Sequence, residues 1–94
     1  MAWPLGPVAA ATPEWTAKKC ALYTQAWDAL AAGGGVADIG AEFLARHAAF
    51  LASGCTARAD ICPVTPAEFD LADKLSLMAV AEGMAGSFLP FACR

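Results

Sequence analysis

Residues 62–69 read Cys62-Pro63-Val64-Thr65-Pro66-Ala67-Glu68-Phe69, and this stretch holds the sharpest helix start in the chain. Thr65 and Glu68 stand three apart as a capping box: the threonine hydroxyl accepts from the N–H of residue 68, and the glutamate reaches back to the start of the helix. Pro66 takes the first helical position, where a missing N–H does no harm. Val64 and Phe69 occupy the two positions of a hydrophobic staple. A helix is therefore predicted from Pro66 to about Ala85, burying Leu71, Ala72, Leu75, Met78 and Ala79, with Phe69, Val80 and Met84 at its margins.

Upstream, residues 54–64 form the longest loop between helices. Before it, a helix from about Val36 or Asp38 to Ser53 places Ile39, Phe43, Leu44, His47, Phe50 and Leu51 on one face, with Glu42 and Arg46 as an i, i+4 pair beside it. A first helix starts with Thr12 as N-cap, Pro13 at the first position and Glu14 near the positive end of the dipole. It runs to about Ala32, with Cys20, Tyr23, Trp27 and Leu30 on one stripe, and Gly33-Gly34-Gly35 stops it.

Outside the helices lie two apolar arms. Pro4, Gly6 and Pro7 keep residues 1–11 out of helix, and Pro90 does the same for the 86–94 tail, which is expected to be extended. The opening has small residues at Ala9 and Ala11, but it lacks a charged leading segment and two prolines interrupt it, so it reads as an ordered arm, or else as the stump of a signal peptide that starts upstream, and not as an intact signal peptide. The expected fold is all-α: one domain over residues 1–94, built as a three-helix bundle in which the tail can act as a fourth packing element.

The chain has 94 residues and a hydrophobic fraction of 59%, of which 24 residues are alanine. Alanine forms helix well and buries little area, so the core is small and gains from covalent staples. Four cysteines, Cys20, Cys55, Cys62 and Cys93, supply them. Their intervening gaps of 34, 6 and 30 residues contain no close pair of the metal-binding or redox kind, so two disulfides are predicted, and with them a periplasmic or other oxidising compartment. If the first two helices pack antiparallel, Cys55 returns to the end of the bundle that carries Cys20, and an extended tail is long enough to bring Cys93 back there too. The preferred pairing is a local Cys55–Cys62 bond with Cys20–Cys93 stapling the tail; the other two pairings stay open.

Six Lys plus Arg stand against nine Asp plus Glu, without a basic stripe, which argues against nucleic acid as a partner. No uncharged apolar run is long enough to span a bilayer, while contact with a membrane surface stays open. No catalytic or cofactor motif is present, and neither a cofactor nor a bound metal is expected. His47, the single histidine, sits among Phe43, Leu44, Phe50 and Leu51, where a core role outweighs ligation or proton transfer.

The leading expectation is a non-enzymatic protein that acts by protein–protein contact or self-association, as an accessory or stabilising subunit of a larger complex. Trp3 and Leu5 in one arm and Phe88, Leu89 and Phe91 in the other are its candidate contact residues. The alternative is a module binding a small molecule or lipid, which a lined cavity above about 300 Å³ would favour.

Overall fold

Pro13 opens α1, which runs Pro13–Ala32 in the computed structural model; residues 13–84 and 86–93 are described. The 1–11 arm and the Thr12 cap lie outside the described residues. Two further helices follow, α2 over Ala41–Ala52 and α3 over Pro66–Ala81, then a single 3₁₀ turn at Gly86–Phe88. The fold is all-α with two disulfides, as composition and periodicity lead one to expect.

All three helices end in the same hydrogen-bond pattern. After α2, Gly54 N–H donates to Leu51 O at 3.0 Å and Cys55 N–H donates to Phe50 O at 3.0 Å. Gly34 with Gly35, and Gly83 with Met84, repeat that geometry. The middle residue must turn left-handed, and Gly34, Gly54 and Gly83 have φ of 84°, 74° and 82°. This is why α3 stops at Ala81 and does not continue to Ala85. Likewise α2 begins at Ala41, later than Val36 or Asp38, because residues 33–38 are spent in turns before the chain reaches the cap at Gly40.

The core lies where the helices and the tail converge. Tyr23 from α1, Phe43, His47 and Phe50 from α2, and Leu71, Leu75 and Ala79 from α3 are buried, joined by Ile39 and Ile61 from the connections. The expected faces of α1 and α2 are therefore the buried ones. Backbone approach is closest between α1 and α3. Between α1 and α2 the space is filled by aromatic rings, with Tyr23 and Trp27 both against His47.

The cysteine pairing differs from the preferred expectation. Cys20 bonds Cys55 and Cys62 bonds Cys93, so neither the Cys55–Cys62 nor the Cys20–Cys93 bond exists. The expected approach of the α2 end to Cys20 is correct, with Cα atoms 5.5 Å apart, but that approach itself decides the pairing. Cys55 adopts a left-handed backbone, φ 62°, as the residue closing α2, and bonds across to α1. Cys62 follows Ile61, which is 1% exposed and forms a parallel bridge with Phe91, so the tail is the neighbour at Cys62.

The tail is also less uniform than expected. Leu89 N–H donates to Gly86 O at 3.1 Å, closing the 3₁₀ turn, and only then does the chain run extended past a fully buried Pro90 to the bridge with Ile61.

Candidate functional site

The Thr65 hydroxyl accepts from Glu68 N–H at 3.1 Å, as the capping box requires. The glutamate does more than the box asks of it. Its Oε1 accepts from Val64 N–H at 2.9 Å and its Oε2 from Gly40 N–H at 3.0 Å, so one carboxylate closes the starts of both α2 and α3. These backbone donors, Val64 first and then Gly40, hold the Glu68 carboxyl below its usual range. Gly40 has no side chain to cap α2, and Glu68 accepts from its backbone N–H, the bond that the acidic residue of a capping box makes within its own helix.

Among the described residues, Tyr23 and His47 form a polar pair in the bundle interior. Tyr23 Oη and His47 Nε2 are 2.7 Å apart, and both residues are fully buried. Trp27 stacks on the imidazole with ring centroids 3.8 Å apart, and Phe43 and Phe91 lie roughly parallel to it at 6.4 and 6.5 Å. Burial pushes the imidazole down to about 4 and raises the Tyr23 phenol, so both are neutral at pH 7. His47 Nδ1 has no hydrogen-bond partner. All four cysteines are oxidised, which leaves no thiol for the imidazole to activate. The pair organises the core, and it lines neither the groove along α1 nor the cleft beside Arg46.

Over this pair lies the tail. Phe88 packs edge-on against Tyr23 and Phe50, at 5.8 and 6.1 Å, while Phe91 reaches Phe43 and His47. Lys19 Nζ lies 5.1 Å from the Phe88 ring centroid and 5.7 Å from that of Trp15. Ile61 N–H donates to Pro90 O at 3.1 Å, Ala92 N–H donates to Ile61 O at 2.9 Å, and the Cys62–Cys93 bond ties the end. Phe88, Leu89 and Phe91 are thus half-buried packing residues of one strap, and Trp3 and Leu5 lie outside the described residues.

The largest exposed apolar side chains are elsewhere. Phe69, Leu77 and Val80 on α3 are 53, 72 and 63% exposed, and Val64 just before the helix is 72% exposed. At 100° per residue, Phe69, Leu77 and Val80 form a stripe on the side of α3 away from Leu71, Leu75 and Ala79, interrupted by the exposed Asp73 between Phe69 and Leu77. Asp70 and Lys74, paired at 2.8 Å, lie at its edge. Periodicity locates the buried face and puts Phe69 and Val80 at its margin, but Leu77 went unassigned. The signal for it is an apolar residue about 160° from the buried centre.

Two hollows open at the surface. A groove of about 790 Å³ runs along α1 past Pro13, Ala17, Cys20 and Thr24 to Gly54 and Thr56 at the end of α2. A cleft of about 740 Å³ lies between Phe43, Arg46 and Asp60 on one side and Cys62, Val64 and Glu68 on the other. Arg46 bridges Glu42 and Asp60 at 2.9 and 2.8 Å, so its charge is matched. Among the described residues no group of three or more His, Cys, Asp or Glu side chains is placed to hold a metal ion, and no helix is long and apolar enough to cross a membrane. The chain matches no protein-family model, no curated protein and no solved structure.

Proposed function

We propose that the protein acts by protein contact, as an accessory or stabilising subunit of a larger assembly, and that the outer face of α3 is its contact surface. One observation supports this above the others: α3 carries large apolar side chains on its outer side, around Asp73, as well as on its inner one. Leu71, Leu75 and Ala79 enter the core, and Phe69, Leu77 and Val80 stand in solvent. Exposed apolar residues are ordinary when scattered singly, but a stripe along one helix gains free energy when a partner covers it. Two disulfides are compatible with a periplasmic or other oxidising compartment. A photo-crosslinking amino acid placed at Leu77, in cells that make the protein, should yield one discrete adduct, while the same group at exposed Asp28 on α1 yields none. Equal adduct patterns from the two positions would reject the reading.

A second reading draws on the groove along α1. Its volume exceeds the roughly 300 Å³ a small ligand needs, and its lining is mainly apolar. It is an open surface channel edged by small side chains, however, and not a cavity lined by the large residues of the bundle. Titration with a fluorescent fatty acid tests it: saturable binding that Ala17→Trp abolishes would favour this reading over the contact surface on α3.

A further inference from the structure

The two disulfides close loops of similar size, with sequence separations of 35 and 31, so chain entropy gives them similar weight. Their surroundings differ. Cys55 is 5% exposed within the core cluster and Cys20 is half-buried against it, whereas Cys62 and Cys93 are both exposed. Each bond has one cysteine on a surface hollow, Cys20 on the groove along α1 and Cys62 on the cleft of about 740 Å³. The difference between them therefore lies in exposure: both ends of Cys62–Cys93 are exposed, and one end of Cys20–Cys55 is in the core. Thiol–disulfide exchange needs a thiolate to approach one sulfur from outside, and access therefore separates the two bonds.

What the exposed bond holds is a segment outside the three helices. Beyond the disulfide, the Gly86–Cys93 strap is attached through two backbone hydrogen bonds to Ile61, the packing of Phe88, Leu89 and Phe91 on the core, the burial of Pro90, the approach of its 3₁₀ turn to α3, and the Lys19 contact. Cys20–Cys55 includes no residue of the strap, and α1 and α3 meet directly as well as through it. Beneath the strap lie Tyr23, Phe43, His47 and Phe50.

We infer that Cys62–Cys93 is a thiol-exchange site, opened by a dithiol oxidoreductase, and that its reduction releases the strap from the aromatic cluster while Cys20–Cys55 stays closed. The partner's thiolate attacks Cys62 Sγ, the sulfur–sulfur bond breaks, and its electron pair leaves on Cys93 Sγ, which takes up a proton. The partner's second thiolate then attacks its own sulfur in the mixed disulfide and expels Cys62 as a thiolate, which is protonated in turn. The protein's disulfide gains two electrons and two protons, and the partner's dithiol becomes a disulfide. This inference is independent of the α3 contact surface.

The test is timed reduction of the intact protein, with dithiothreitol and separately with a thioredoxin-class dithiol protein as reductant, followed by alkylation and peptide mass mapping. Cys62 and Cys93 should be modified at least tenfold faster than Cys20 and Cys55 with either reductant. Hydrogen exchange on the singly reduced species should show loss of protection at the Ile61 and Ala92 amides, which pair across the bridge, with α1 and α3 amides still protected. Reduction of Cys20–Cys55 first or at the same rate would overturn the inference. So would a bond that only dithiothreitol opens, or unchanged exchange at Ile61 and Ala92 after selective reduction.

Discussion

Glu68 Oε2 accepts a hydrogen bond from Gly40 N–H at 3.0 Å, joining the first turn of α3 to the cap of α2 across 28 positions of sequence. A Cβ on residue 40 would stand 2.9 Å from that same oxygen, so the two positions depend on each other. Glu68→Ala leaves the Gly40 and Val64 donors without their acceptor and should cost about 2 kcal/mol in urea unfolding, with Glu68→Gln costing less. Gly40→Ala should cost about 1 kcal/mol by displacing the carboxylate. Because both changes break one bond, the double variant should be less destabilised than the sum of the two, and strict additivity would show that the residues are not coupled.

Acid should act mainly through His47. In the unfolded chain the imidazole has its ordinary value near 6.5, and in the fold burial lowers it to about 4. Between these values the unfolded state binds a proton that the folded state refuses. Stability is therefore fully present above about pH 6.5 and falls as pH drops towards 4, by about 3 kcal/mol at most. The lowered Glu68 carboxyl adds a loss in the same direction, beginning below its ordinary value of 4.5. His47→Leu should flatten the curve between pH 6.5 and 4.5 and leave the more acidic limb. A slope that His47→Leu does not change would sink this account.

Leu75 and Leu77 are two residues apart on α3 and should respond in opposite ways. Leu75 is 0% exposed and Leu77 is 72% exposed. Leu75→Ala should lose about 3 kcal/mol through transfer and cavity terms, and Leu77→Asn should stay within about 0.5 kcal/mol of the parent in the same unfolding experiment.

Replacing both cysteines of either disulfide by serine should lower stability by about 2 to 4 kcal/mol, given the similar loop lengths. The consequences for shape should differ. Loss of Cys62–Cys93 should leave helical circular dichroism intact, while loss of Cys20–Cys55 should also loosen the end of α2, where Cys55 has a left-handed backbone. Thermal scans with far-ultraviolet detection would separate the two.

Helices and their faces were legible because each helix carries local signals of its own. Thr65 and Glu68 announced α3, the 33–35 glycines announced the end of α1, and the spacing of Tyr23, Trp27, Phe43, His47 and Phe50 gave their burial or partial burial. Relations between elements were not legible. Nothing within three or four residues of Glu68 points to Gly40, since that partner arrives only when α2 and α3 meet. The pairing preference failed for the same reason: six intervening residues make Cys55 and Cys62 look like natural partners, but Gly54 and the α2 end bring Cys55 to α1, and Ile61 pairs with Phe91. Periodicity located the inner face of α3, while the outer stripe with Leu77 adds apolar residues on both sides and so weakens the very pattern that would reveal it.

The order of the four cysteines along the chain bears on how the protein matures. Cys20 joins Cys55 and Cys62 joins Cys93, so the covalent rings follow one another and share no segment; residues 56–61 are the link between them. A chain delivered from its amino end into an oxidising compartment presents Cys55 when only Cys20 is waiting, and completes that ring before Cys62 and then Cys93 arrive. Pairing each newly arrived thiol with the one already waiting yields the native bonds in sequence, without a disulfide isomerase to reshuffle them. A nested arrangement, with Cys55–Cys62 inside Cys20–Cys93, would have required the opposite: the first two thiols to arrive would have had to avoid each other.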